Sequence, residues 1–287
     1  MRKEIISLTK GLDRNSFAYQ LFTKAKRHGV WNPADIDFTQ DKKDWAQLSD
    51  AQKDNMRLRF SRFISGEESV TMDILPMIMT MAKKGWIEEE LYLTSFLFEE
   101  AKHVDLFHIL LNELGESSDL SHYHSDSHKK MFYELLPQIM NRLLDDPSNK
   151  NIAEAAAFYN MFTEGVQAET GYFGLYEGII KSNLMPGLAE GIANLKRDES
   201  RHIAFGTYLL QRLISEEPEL YDFVCEKMEK EWMPIAAEVW KGYASDATDP
   251  FGVKIQDVLD FSEKQLRVRM NILKNASLNK MDVIELI

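Results

Sequence analysis

Two copies of Glu-x-x-His, Glu100 with His103 and Glu199 with His202, lie inside apolar runs, and nothing else in the sequence constrains the fold as tightly. On a helix, residues three and four apart share a face. The stripe through the second copy runs Leu188, Ile192, Leu195, Glu199, His202, Gly206, Leu209, Leu213, so the acid and the imidazole face the side that the leucines face. Phe96, Glu100, His103, Phe107 and Leu110 repeat the pattern in the first copy. Two single glutamates join them: Glu67, on a stripe with Met56, Phe60, Phe63, Val70, Ile74 and Met81, and Glu164, between Met161 and Ala168. A single glutamate precedes each Glu-x-x-His, by 33 residues in one case and 35 in the other. Two copies are too few for a solenoid but suit a pseudo-twofold helical bundle.

Burying these acids has a large cost. Moving one isolated carboxylate into a low-dielectric interior costs tens of kcal/mol in the Born limit, as much as a domain's net stability or more. The stripes carry no basic residue besides the two histidines, so divalent cations are the natural counter-charge. Four carboxylates balance two divalent ions, with two neutral imidazoles completing the set. Oxygen and nitrogen donors without thiolate suit iron or manganese, and would also accept zinc or cobalt. Two Glu-x-x-His helices and two glutamate helices form the di-metal carboxylate pattern of ferritin-like bundles. Asp198, beside Glu199, is either a solvated charge or the acceptor that orients a ligand histidine.

The rest of the chain supports one all-α domain spanning residues 1–287. Its 14 glycines and 8 prolines are sparse, and helical periodicity runs from about residue 50 onward. Helices are expected over about 51–83, 87–115, 127–146, 150–181, 185–215, 217–243 and 252–277, with a kink near Pro76 just after Val70. Trp31, Phe38 and Trp45 are docking anchors in an otherwise unassigned first 50 residues. A net charge of -12 without basic clusters argues against nucleic acid. Cys225 is the only cysteine, so no intrachain disulfide forms. With no apolar run of membrane-spanning or signal-peptide length, a cytoplasmic protein is expected. His122, His124 and His128, in "SHYHSDSH", read as a solvated polar turn.

The motifs "SGEESVTMDILP", "FEEAKHVDLF", "AFYNMFTEG" and "RDESRH", over roughly residues 50 to 215, resemble the ribonucleotide reductase small-subunit superfamily. Within it they are similar to the ligand-binding oxidases with a manganese/iron site. The resemblance implies a ferritin-like bundle of the small-subunit type, with Glu67, Glu100 and His103 on manganese, Glu164, Glu199 and His202 on iron, and Glu100 bridging. Two irons are an alternative. It also implies a long-chain fatty acid with its carboxylate at the metals, use of O2, a homodimer, and an outer-shell role for Tyr172. Val70 and Tyr159 would be joined by an ether between the valine Cβ and the phenolic oxygen. The spacing of Tyr159 and Glu164 does not align on a regular helix, and a π-bulge would bring them closer.

Two other readings share these motifs. A radical-generating reductase small subunit is the first, although Phe107 stands where most of that family has a tyrosine, and no tyrosine follows Tyr243 in an ending, "SLNKMDVIELI", expected to be packed or slightly frayed. The second is a carrier whose metals only clamp a fatty acid. Iron storage would need a shell-forming surface.

Overall fold

Ser49 opens the first long helix with a reciprocal cap: its hydroxyl accepts from the backbone N–H of Gln52 (3.3 Å), and the Gln52 side chain accepts from the N–H of Ser49 (3.0 Å). In the computed structural model, which describes residues 11–243 and 246–277, the elements are almost entirely helical, and no strand occurs among the described residues. The expected character of the C-terminal ending concerns residues 277–287, which apart from Ser277 lie outside that range. Helices α1 (Phe17–His28) and α2 (Thr39–Gln47) precede α3 (Asp50–Asp73), α4 (Leu75–Lys84) and α5 (Ile87–Leu114). Next come α6 (Asp126–Lys129) and α7 (Leu136–Asp145), then α8 (Asn149–Ala156) and α9 (Glu169–Gly178). The chain continues through α10 (Pro186–Glu216), α11 (Leu220–Glu226), α12 (Met233–Lys241) and α13 (Ile255–Ser277).

The expected long helices are present, several of them with internal irregularities. Pro76 has no N–H to give to the preceding turn, and the break between α3 and α4 falls at Ile74, where the kink was expected. Three helices are interrupted by π-helical segments, at Lys130–Leu135, Ala157–Ala168 and Lys227–Trp232. Gly85 and Gly115 end α4 and α5 in the left-handed region (φ 73° and 77°), which a residue without Cβ adopts freely. The unassigned N-terminal region has a structural task. The Asp41 carboxylate of α2 accepts from Gly187 and Leu188 N–H (2.8 and 2.7 Å), capping the start of α10.

The apolar core is divided in two. One cluster contains Val70, Ile74, Phe96, Tyr159, Ile203 and Phe205; the other contains Phe60, Phe63, Leu106, Phe107, Tyr172 and Leu195. Each long stripe crosses from one cluster to the other through its glutamate: Phe63, Glu67, Val70 on α3; Phe96, Glu100, Phe107 on α5; Leu195, Glu199, Phe205 on α10. A polar layer therefore separates two dry ones. No described helix is long and apolar enough to cross a membrane.

Candidate metal centre

Four elements supply the polar layer. Glu67 comes from α3, Glu100 and His103 from α5, Glu164 from the π segment Ala157–Ala168, and Glu199 and His202 from α10. None of the six residues is more than 6% exposed. Their donor atoms form two groups with all atoms of each within 4.8 Å: Glu67, Glu100, His103, Glu199 in one, and Glu100, Glu164, Glu199, His202 in the other. Sharing follows from how the two central carboxylates are divided. Glu100 turns Oε2 toward His103 Nδ1 (3.6 Å) and Oε1 toward His202 Nδ1 (2.9 Å). Glu199 turns Oε1 toward His103 Nδ1 (3.7 Å) and Oε2 toward His202 Nδ1 (3.5 Å). Glu67 (3.4 Å from His103 Nδ1) and Glu164 (3.6 Å from His202 Nδ1) close the two ends.

Both imidazoles are oriented from behind. His103 has Nε2 on Asp198 Oδ2 (3.3 Å), and His202 has Nε2 on Glu99 Oε2 (3.0 Å), so each presents Nδ1 to the centre. Asp198 is thus a positioning acceptor rather than a solvated charge. It also accepts from the Trp31 indole (2.8 Å) and Lys102 (3.0 Å), while Arg201 donates to both Asp198 and Glu99. Glu99, Lys102 and Arg201 were not legible as site residues because they lie off the apolar stripes. Their one sequence signal is charge immediately beside the motifs, in "FEEAKH" and "RDESRH".

The electrostatics fit cations. Both Oε atoms of Glu100, one oxygen each of Glu164 and Glu199, and Nδ1 of both histidines are buried and make no hydrogen bond of good geometry, the 2.9 Å approach of His202 Nδ1 to Glu100 Oε1 included. Such a convergence of orphaned donor atoms is what a metal pair would satisfy. Burial pushes Glu67 up to about 8 and Glu164 well above the usual carboxylate range. Burial acts on Glu100 too, but contacts with His103 and His202 outweigh it and hold Glu100 at about 2. Without cations the acids can be accommodated only by taking up protons or sharing those of the imidazoles.

The remaining expected site residues lie around this centre. The Tyr159 hydroxyl donates to the Val70 carbonyl (2.9 Å), so these two residues meet, and the π segment runs through both Tyr159 and Glu164. Tyr172 stacks on Phe63 (5.5 Å) with its buried hydroxyl unpartnered. Asn160 donates to Glu164 (3.0 Å), and a Cβ on Gly206 would come within 2.2 Å of the Asn160 Cβ, so glycine permits this close approach of α10. A cavity of about 70 Å³ reaches Glu67, Glu164 and Glu199, with Phe63, Val70, Phe132 and Val239 among its apolar lining.

The histidine-rich turn departs from its solvated reading. His128 is 1% exposed, hydrogen-bonds Ser65 (2.7 Å) and lines that same cavity, because the helix starting at Asp126 turns it inward. His122 remains exposed, bonded to its own turn.

Residues 17–283 match the family described as ribonucleotide reductase, small chain. Among solved structures, a glycine-to-leucine variant of an R2-like ligand-binding oxidase with anaerobically reconstituted Mn/Fe cofactor is 37% identical. The match covers 95% of this chain and 98% of that one, at a TM-score of 0.90. The same variant with a non-activated Mn/Mn cofactor matches equally. A tyrosine-to-phenylalanine variant with aerobically reconstituted Mn/Fe cofactor is 38% identical over 91% of this chain and 94% of that one, at a TM-score of 0.86.

Proposed function

Because the chain belongs to the ribonucleotide reductase small-chain family, we propose that it is an oxygen-activating, ligand-binding oxidase with a manganese/iron pair. The carrying observation is the pair of four-residue groups sharing Glu100 and Glu199. In this reading Glu67, Glu100 and His103 would hold manganese, and Glu164, Glu199 and His202 would hold iron. When bound, the pair supplies redox chemistry, letting four electrons, two from a C–H/O–H couple and one from each ion, reduce O2 to water.

The protein's own residues supply placement. Asp198 and Glu99 fix the imidazoles, and the two apolar clusters keep water from the layer between them. The Val70 carbonyl holds the Tyr159 hydroxyl beside the valine. Ether formation removes one hydrogen from Val70 Cβ and one from the phenol, and the carbon–oxygen bond replaces both. The largely apolar lining of the cavity favours an acyl chain, whose carboxylate would lie toward Glu67, Glu164 and Glu199. The working form would be a homodimer.

Peptide mass spectrometry after loading with manganese(II) and iron(II) tests the reading. A Val70–Tyr159 peptide pair lighter by two hydrogens, formed only in air, is expected. Full metal loading without the link would count against the oxidase. A passive fatty-acid carrier is separated by oxygen consumption, which it would not show.

A further inference from the structure

Among the described residues, thirteen buried side-chain nitrogen or oxygen atoms lack a hydrogen-bond partner, and six of these belong to the candidate metal ligands. Of the seven others, four belong to residues that line a cavity reaching the metal layer: Arg62 Nε, Thr163 Oγ1, Gln167 Nε2 and Trp240 Nε1. Unpartnered buried groups are rare in proteins, so their concentration on one cavity calls for a shared cause. All four atoms carry hydrogen. Three can only donate, and the threonine hydroxyl can do both. A saturated hydrocarbon tail would leave every one of them unpaired.

We propose that the cavity takes an oxygenated acyl chain, a long-chain acid bearing a hydroxyl along its length, with that oxygen accepting from one of these donors. The proposal rests on the fatty-acid reading above and narrows it. A second carboxylate fits less well, because the Arg62 cation is already accommodated: it donates to Val239 O (2.8 Å) in the last turn of α12 and lies over the Tyr243 ring (4.3 Å to the centroid). His128 adds a neutral polar group on the same wall, with one ring nitrogen taken by Ser65. Since a hydroxyl both donates and accepts, it suits the second nitrogen in either tautomer.

The test uses metal-loaded, delipidated protein titrated calorimetrically with stearate and with 2-, 9- and 12-hydroxystearate. At least one hydroxy acid is expected to bind about tenfold more tightly than stearate, the effect of one recovered hydrogen bond. Gln167→Leu combined with Trp240→Phe should bring the two affinities toward parity. Thr163→Val, which keeps side-chain shape, provides a second variant if that pair fails to fold. Equal affinity for stearate and all three hydroxy acids would overturn the proposal and leave the fatty-acid reading standing. A preference that survives in the variants would overturn it as well. Failure of stearate and every hydroxy acid to bind would overturn both.

Discussion

The two halves of the polar layer echo one another in sequence yet are built differently. Glu67 projects from a regular α-helix, and its partner His103 leans on Asp198, which is gripped by Trp31, Lys102 and Arg201. Glu164 projects from a twelve-residue π segment, is steadied by Asn160, and faces His202, which leans on Glu99 with Arg201 as its cation. One half is over-determined by a hydrogen-bond network, whereas the other sits on backbone whose wider turns bring Tyr159 toward the site. Repeated motifs therefore do not imply equivalent sites, and this asymmetry is a physical handle by which one chain can hold two different ions.

Removing what the halves share should have the largest effect. Glu100→Gln is expected to empty both, with metal content by mass spectrometry below half an ion per chain. Glu67→Gln should empty only the first. Equal loss in both variants would erase the distinction between shared and end carboxylates.

Cutting the supports separately sharpens the contrast. Asp198→Asn should weaken the first ion roughly 10–100-fold, and Glu99→Gln the second by a similar factor. Asp198→Asn should also lower stability by about 3–5 kcal/mol, because Lys102 and Arg201 lose a buried counter-charge. Site-resolved metal titration and urea unfolding measure the two effects.

A more local perturbation addresses the π half alone. Gly206→Ala would press a methyl against Asn160 and is expected to cost about 1–3 kcal/mol while disturbing only the ion at Glu164 and His202. Paramagnetic spectra of the loaded variant would detect a change at one ion and not the other.

The smallest effect is a matter of protons. Glu67, raised to about 8, is protonated below that pH when no cation is bound, so loading at pH 7 must expel its proton. Affinity should fall as pH drops from 8 toward 6. Calorimetry in buffers of different ionisation enthalpy should register proton release at pH 7.

The layered core was legible because its signal is periodic: every member of the Leu188–Leu213 stripe is buried, as its spacing predicts. Glu67, Glu100, His103, Glu164, Glu199 and His202 stood out because burying unpaired acids is so costly. What the periodicity does not carry is partnership across elements. Arg201 is an ordinary helix charge until α5 brings Glu99 to it (2.6 Å), and Trp31 is only an apolar anchor until its N–H meets Asp198. The burial of His128 is hidden in the sequence because its polar neighbours suggest solvent, whereas burial depends on the direction of a four-residue helix.

The most direct measurement is anomalous scattering at the manganese and iron edges from crystals of protein loaded with both metals. The account predicts two ions in the polar layer, one with Glu67 and His103 and one with Glu164 and His202, with Glu100 and Glu199 reaching both. A single ion, or ions bound outside this layer, would contradict it.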